Sequence, residues 1–284
     1  MTHFDYVRPA SLEQALTQLN DPVYKNKLLA GGTDVLVYLH HGQVGFDRLV
    51  DISLLPELKL IRRDGDEISL GAGITYTEVI ECQLLRETVP FLVEACRAVG
   101  SPQIRNLGTL GGNVVNAAAC ADSLPVLVCL ETDAHLCSPY GVRVIPVTEL
   151  VLKPNQTIVE PGEILTRFVF KAPPVGVKTA FIKVGRRNAL AISRLTMAAM
   201  GRLDAQGRVD FIRLTPGAAT PQTFRFTQVE SFLSGELLTA DLIAAAAKQV
   251  AEAMVSITGL RWSTEYKSRV ITTLAERALI QVFS

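Results

Sequence analysis

The sequence predicts an α+β protein in two parts. Strand and helix patterns alternate over the first 57 residues, and turn-separated strand patterns follow up to residue 174. Pro173-Pro174-Val175-Gly176 then interrupts any regular element, and beyond it strands precede helices. We therefore expect one domain at residues 1–174, with a small parallel β-α-β subdomain (1–57) and a mainly antiparallel subdomain (58–174). A C-terminal domain at 175–284 should hold a three-stranded antiparallel sheet with helices.

The first subdomain is predicted from capping signals and short apolar runs. Ser11-Leu12-Glu13-Gln14 fits a capping sequence, with Ser11 as N-cap and Gln14 three residues later. The predicted elements are a strand at 4–9, a helix from residue 12, a strand at 28–30, a helix at 34–41 and a strand at 48–52. Strands that alternate with helices in this way favour a parallel sheet.

Hairpin signals begin near residue 58, where Asp64-Gly65 separates two strand-like runs. Thr75, with Glu78 three residues later, is predicted to cap a helix that runs to about residue 82. The other elements expected here are a helix at 90–99, ended by Gly100-Ser101-Pro102, and strands at 134–137, 143–146 and 163–170. We expect these strands to pair antiparallel.

The strands and helices of the C-terminal domain have clear periodic patterns in the sequence. Strands are predicted at 178–186, 193–203 and 209–215, and helices at 227–233, 240–255 and 263–283.

Composition excludes several classes of function. Lys plus Arg and Asp plus Glu both number 28, so no net charge favours a nucleic acid or an anionic membrane as partner. No apolar run approaches the ~18 residues of a membrane span, and the N-terminus does not resemble a signal peptide. The five cysteines form no Cys-x-x-Cys pair, which favours reduced thiols in the cytoplasm and no iron–sulfur cluster on this chain. No metal-ligand spacing and no nucleophile–base pair are evident.

Two glycine pairs are the main functional signal. Gly31-Gly32 follows an apolar run and precedes Thr33, and Gly111-Gly112 lies between Thr109 and Asn113. Glycine lets another group approach bare backbone, and successive N–H groups in such a loop can form an anion-binding concavity without a lysine. One glycine pair alone is more often a simple turn. Two with similar flanks predict one ligand with two phosphates held between the loops.

With these residues, the chain resembles the FAD-binding medium subunit of molybdenum hydroxylases, the group of xanthine, carbon monoxide and nicotinate dehydrogenases. The resemblance covers nearly the whole chain. Within the family, the chain most resembles the corresponding subunit of a bacterial three-subunit xanthine dehydrogenase. It rests on four segments: Leu-Leu-Ala-Gly-Gly-Thr-Asp at 28–34, Gln-Ile-Arg-Asn-Leu-Gly-Thr-Leu-Gly-Gly-Asn at 103–113, residues 116–122, and residues 261–269.

The resemblance implies a set of FAD-contacting residues. The first loop would wrap the pyrophosphate and ribityl chain, and the second would contact the same region. Asp122 would accept the hydroxyls of the adenosine ribose, Leu165 would line the adenine pocket, and Lys183 would lie near the polar edge of the flavin. Val99 stands where the family often stacks an aromatic ring on the flavin. The first-loop residues are Lys27, Leu28, Leu29, Ala30, Gly31, Gly32, Thr33, Asp34 and Val35, and those of the second are Thr109, Gly111, Gly112, Asn113 and Asn116.

The implied activity is electron transfer within an oxidoreductase of heterotrimeric type. The resemblance implies a large subunit that carries molybdopterin and oxidises the substrate, and a small subunit that carries [2Fe–2S] clusters. This chain would pass electrons from those clusters, through FAD, to a soluble acceptor such as NAD+.

Plainer interpretations stand beside these. Asp122 can cap the following helix, Lys183 can be a solvated strand lysine, and Cys120 can be a small packed residue. For the whole chain, one alternative is a stand-alone flavin oxidase of the vanillyl-alcohol-oxidase-like superfamily, although little chain remains after Pro173 for a substrate domain. Another is a non-enzymatic nucleotide-binding module.

Overall fold

A small parallel sheet forms the first part of the chain. The structure is a computed structural model that describes residues 4–42, 45–187 and 190–284. The first elements are β1 (Asp5–Val7), α1 (Leu12–Leu19), β2 (Asn26–Leu29), α2 (Val35–His40) and β3 (Arg48–Asp51). β3 lies between β1 and β2 and runs parallel to both, so the predicted parallel sheet is confirmed. Ser11 caps α1 by accepting a hydrogen bond from the Gln14 N–H, as its sequence predicts.

The second part contains a five-stranded antiparallel sheet. Its strands are β4 (Ile61–Asp64), β5 (Glu67–Gly71), β6 (Asp133–Ser138), β7 (Gly141–Pro146) and β10 (Ile164–Lys171), with a small hairpin of β8 (Val151–Lys153) and β9 (Gln156–Thr157) beside it. The order is β4-β5-β10-β6-β7. The predicted hairpin over 61–71 turns at Gly65, whose φ of 59° is a left-handed conformation that suits glycine.

Helices are more numerous here than the sequence predicts. They are α3 (Tyr76–Glu81), α4 (Gln83–Thr88), α5 (Pro90–Arg97), α6 (Pro102–Leu107), α7 (Leu110–Asn116), α8 (Ser123–Cys129) and α9 (Val147–Leu150). Thr75 and Glu78 form both hydrogen bonds of a capping box at α3, which confirms that prediction. The second glycine pair was expected in a loop, but it lies inside the first turn of α7.

The C-terminal part follows the predicted order of strands and then helices. The antiparallel strands are β11 (Lys178–Gly185), β12 (Ser193–Leu203) and β13 (Val209–Gly217), and the helices are α10 (Thr227–Leu233), α11 (Ala240–Thr258) and α12 (Thr264–Phe283).

The sheet of β11, β12 and β13 is buried on both faces. Leu195 and Met197 of β12 pack with the C-terminal helices, whereas Ala198 and Met200 join the core of the preceding part of the chain. This division follows from the alternation of side chains along a strand. The Glu131 carboxylate adds polar contacts across the same junction, to Arg213 and Arg225. The α+β architecture is thus as the sequence predicts, with more helix around the second glycine pair.

Candidate functional site

A cleft of about 820 Å³ lies between the small parallel sheet and the antiparallel part, within the usual range for ligand pockets. Both glycine pairs line it. The sequence-predicted residues in its wall are Lys27, Leu28, Ala30, Gly31, Gly32, Thr33, Asp34, Val35, Thr109, Gly111, Gly112, Asn113, Asn116 and Leu165. Leu29 does not line the cleft, and its Cδ1 packs against Gly32 instead.

The two loops touch at Gly31. A Cβ placed on Gly31 would overlap the carbonyl oxygen of Leu107 and would lie 2.5 Å from its carbonyl carbon and 2.9 Å from the Gly108 Cα. The first loop therefore packs backbone against backbone on the chain that enters the second loop. Glycine is required at this position by close approach alone.

The first loop offers unpaired backbone donors. Among the described residues, the N–H groups from Gly31 to Val35 donate no hydrogen bond, and Gly32 has a φ of 71°. Such groups at the start of a helix commonly bind anions. Asp34 makes no capping hydrogen bond with its side chain, and burial raises the pKa of its carboxyl. This carboxylate suits ligand hydroxyls better than phosphate, because like charges repel.

The second loop differs from what its glycines suggest. Its N–H groups are already paired: Leu110 donates to Ile74 O at 2.9 Å, Gly111 to Ala72 O at 2.8 Å, and Gly112 to Thr109 Oγ1 at 3.0 Å. Thr109 is the N-cap of α7, so its hydroxyl oxygen satisfies a helix N–H. The expected concavity of successive N–H groups is not present here.

What this loop presents instead is bare backbone and side-chain donors. A Cβ on Gly112 would meet only Thr109 Oγ1, at 2.8 Å, so the space beyond the Gly112 Cα is open cleft. The Oδ1 of Asn113 accepts a hydrogen bond from Ser123 at 2.7 Å, which leaves its amide N–H groups available. Open N–H groups on one side and hydroxyl and amide donors on the other fit the diphosphate of a dinucleotide such as FAD.

Three predicted residues lie beyond this cleft, at the junction with the C-terminal sheet. Lys183 Nζ contacts Asp122 Oδ2 at 2.6 Å and Ala98 O at 2.8 Å, and Ser193 donates to the other Asp122 oxygen. Burial raises the pKa of the Asp122 carboxyl, although Lys183 and Ser193 oppose that shift. Val99 is near this pair, since it follows Ala98 directly.

The resemblance implies Asp122 at the adenosine ribose and Lys183 at the flavin edge, and both assignments stay predictions. The direct ion pair brings the two side chains together, so we expect them to face the same part of a bound cofactor. The plainer interpretations of Asp122 and Lys183 do not agree with the structure, whereas that of Cys120 does. Asp122 makes no side-chain capping bond, and the Lys183 side chain is only 14% exposed. Burial and the Asp122 carboxylate raise the pKa of the Cys120 thiol, which agrees with a packed rather than a reactive cysteine.

A second cavity, of about 700 Å³, adjoins Lys183. Arg97, Arg105 and Arg187 also line it, and none of its described lining residues is acidic. Arg105 is held in place by hydrogen bonds to the carbonyl oxygens of Val99 and Gly100 at 2.9 and 3.0 Å. The cavity is therefore suited to an anionic ligand.

Some residues of the cleft were missed from sequence. Tyr76 lines it although it was expected only within a helix, and residues 159–163 form a further part of its wall. Asn20 donates to Gly162 O at 3.1 Å and so joins this wall to the end of α1. These contacts join segments that are far apart in the chain, so no periodic pattern in the sequence indicates them. The only local signal in this wall is Pro161-Gly162, which predicts a turn.

Glu163 fixes that wall. Its carboxylate accepts hydrogen bonds from Arg143 at 2.5 and 2.7 Å and from the Glu160 N–H at 2.7 Å. The bonds from Arg143 hold the pKa of Glu163 below its ordinary value of 4.5. A lowered carboxyl pKa in the folded state stabilises the fold above the unfolded value, and this contribution is lost as the pH falls through the folded value.

We expect Glu163→Gln to lower the free energy of unfolding at neutral pH and to reduce its dependence on pH in acid. The difference between wild type and variant should be full above about pH 4.5 and should fade below it. Urea unfolding at a series of pH values measures this. Glu252→Gln, at an exposed position of α11, is the control and should follow the wild-type curve. A difference that persists unchanged at low pH would contradict the role given to Glu163.

Two features are absent from residues 4–42, 45–187 and 190–284. No group of three or more His, Cys, Asp and Glu side chains is arranged to hold a metal ion. Within the same ranges, no helix has the length and apolar character needed to cross a membrane.

Comparisons with known proteins agree with this geometry. Residues 2–170 match the family described as the FAD binding domain in molybdopterin dehydrogenase, and residues 180–282 match the CO dehydrogenase flavoprotein C-terminal domain. The xanthine dehydrogenase FAD-binding subunit of Escherichia coli O157:H7 is 33% identical over 277 residues, which cover 96% of this chain and 94% of that one.

Solved structures also resemble this chain over nearly its whole length. Carbon monoxide dehydrogenase from Hydrogenophaga pseudoflava matches with a TM-score of 0.91 and 25% identity, over 99% of this chain and 98% of that one. Quinoline 2-oxidoreductase from Pseudomonas putida 86 matches with a TM-score of 0.92 and 25% identity, over 99% and 97%.

Proposed function

Because the chain belongs to the family of FAD-binding domains of molybdopterin dehydrogenases, we propose that it is the electron-transfer subunit of a xanthine dehydrogenase-like complex. It binds FAD and is part of an oxidoreductase. The finer proposal is that it takes electrons from iron–sulfur clusters of a small subunit, while a molybdopterin-containing large subunit oxidises the substrate. The observation that carries the proposal is the single cleft lined by both glycine pairs.

When bound, FAD supplies two-electron redox chemistry, and the protein supplies position and electrostatics. We propose that the N–H groups of Gly31 to Val35 bind the diphosphate from one side and that Thr109 and Asn113 donate to it from the other. Gly112 leaves room for it. Asp34 accepts ribityl or ribose hydroxyls. The remaining wall residues, Lys27, Leu28, Ala30, Gly111 and Asn116, exclude water along the cofactor.

We propose positions for the two ends of the cofactor. Leu165 lines the cleft, and we keep it at the adenine. We place Asp122, Lys183 and Val99 together near the ring, at the junction with the C-terminal sheet. There the Lys183 ammonium, held by Asp122 and Ala98 O, can stabilise negative charge. We also propose a domain boundary after residue 174, between the end of β10 and the start of β11.

The basic cavity beside Lys183 supports NAD+ as the acceptor. Its arginines provide positive charge, which favours phosphate groups. An acceptor bound there would lie next to the residues placed at the ring. We propose the cytoplasm as the compartment, in agreement with five free cysteines. The stand-alone oxidase alternative gains no support, since residues 180–282 match a flavoprotein C-terminal domain.

We expect the purified chain to take up one FAD and to show the visible absorbance bands of an oxidised flavin. Anaerobic addition of NADH should bleach these bands. Arg97→Gln, in the basic cavity, should slow bleaching by NADH, whereas dithionite should bleach both proteins alike. A chain that takes up no FAD would refute the proposed function. Flavin that binds but is not bleached by NADH would refute only the choice of NAD+.

A further inference from the structure

Tyr76 lies beneath the point where the two glycine loops meet. It is the first residue of α3 and is only 4% exposed. Its ring packs on the chain that enters the second loop, since a Cβ on Gly108 would lie 2.8 Å from Tyr76 Cε2. Leu107, one residue earlier, is in contact with Gly31 of the first loop. The Tyr76 ring is thus fixed at the floor of the cleft, between both loops.

The hydroxyl of Tyr76 has no protein partner. The Tyr76 backbone N–H donates to Gly108 O at 3.1 Å, but within the described ranges the phenol oxygen makes no hydrogen bond. It is also not among the fully enclosed, unpaired polar atoms of the chain, which are those of Gln18, Thr132 and Thr215. The residue lines the cleft, so its small exposed part includes the hydroxyl. The Tyr76 hydroxyl therefore faces the cleft without a protein partner among the described residues, and it is available to a ligand atom.

The surroundings of the phenol keep it protonated. Burial raises its pKa well above the ordinary value, and the neighbouring Cys96 thiol and the carboxylates of Asp122 and Asp34 act in the same direction. A protonated phenol can donate its O–H to an acceptor. A phosphate oxygen, which can only accept, is a suitable partner for this O–H.

We propose that the Tyr76 hydroxyl donates a hydrogen bond to the diphosphate of bound FAD. The proposal rests on the proposed function, since it requires FAD in this cleft. It follows from position: the ring touches the contact between the loops, and the diphosphate is the part of FAD that both loops hold. Tyr76 then anchors the cofactor from the floor, while the N–H groups of the first loop hold it from one wall.

The test is Tyr76→Phe, which removes one oxygen and keeps the ring that packs on Gly108. A hydrogen bond to a charged phosphate oxygen corresponds to at least about a tenfold change in the dissociation constant. We expect FAD and ADP to bind about tenfold more weakly to the variant, as measured by calorimetry on the apoprotein, and adenosine to bind equally to both proteins. Tyr140→Phe, whose side chain is 98% exposed on a distant turn, is the matched control and should change nothing.

The other outcomes each overturn the proposal. Unchanged affinity for FAD shows that the hydroxyl makes no bond to it. A loss for FAD without a loss for ADP places the bond on the flavin half. An equal loss for ADP and adenosine shows a structural role, because adenosine carries no phosphate. Failure of the wild-type chain to bind FAD refutes the proposed function instead, so the two failures are distinguishable.

Discussion

Replacing Gly112 by valine should give a folded protein that retains no FAD. Outside its own helix backbone, an added Cβ at this position would meet only the Thr109 hydroxyl, so we expect the valine methyl groups to extend into the cleft. That space is where we place the diphosphate, and a branched side chain would fill it. The helix itself should tolerate the change, because valine is a better helix former than glycine.

The measurement is the ratio of flavin absorbance to protein after reconstitution with excess FAD. Gly112→Ala should retain an intermediate amount, because one methyl group fills less of the space. Gly45→Val is the control: the nearest atom to an added Cβ there is Lys25 Nζ at 4.0 Å, so FAD content should not change. One FAD per chain in Gly112→Val would show that the second loop does not face the cofactor.

Replacing Gly31 by alanine should damage the fold as well as the cofactor site. The added methyl would overlap the Leu107 carbonyl. The methyl is fixed to the Gly31 Cα and the carbonyl belongs to the backbone, so neither can move without displacing its loop. Overpacking of this kind costs about 3 kcal/mol of the free energy of unfolding. The φ of Gly31 is not positive, so the loss would reflect the close contact alone.

Urea unfolding of the apoprotein measures this loss, and FAD titration measures the second effect. The matched control is Gly45→Ala, which should unfold at the wild-type midpoint. If Gly31→Ala unfolds at that midpoint too, the two loops are not in contact in solution.

The elements that could be predicted are those whose signals are local. The caps at Ser11 and Thr75 place helix starts within one residue, and the Asp64-Gly65 turn places a hairpin. The C-terminal strands and helices follow equally from their periodicity and turns. Each of these signals depends on interactions over a few residues, which a single sequence displays directly.

The region from 101 to 129 shows what local reasoning misses. Its glycines predict a loop because glycine is a poor helix former, yet tertiary packing makes α7 a helix with Leu110 and Val114 fully buried. The available signal was Thr109 before these two apolar residues, four apart, which is the pattern of a capped helix.

The residues of the candidate site also divide into those that local signals indicate and those that depend on tertiary contacts. The glycine pairs could be found because the need for bare backbone is visible in the residue type. The Asp122–Lys183 ion pair and the position of Tyr76 depend on contacts between segments far apart in the chain, and no pattern in the sequence encodes them. The unpaired phenol could be recognised only once the burial and the hydrogen bonds of the fold were known.

Among the described residues, the core cluster at the small parallel sheet contains seven buried apolar side chains, one of which is Ile164 of β10. The strands of this sheet are three or four residues long. A unit of this size is marginal by itself. A dinucleotide held jointly by the loop after β2 and by the antiparallel part would therefore act as a cross-link between them. Release of FAD and separation of residues 4–42 and 45–57 from the rest of the chain then become coupled equilibria. Any partner chain that clamps this small unit in place would slow the loss of the cofactor without touching it.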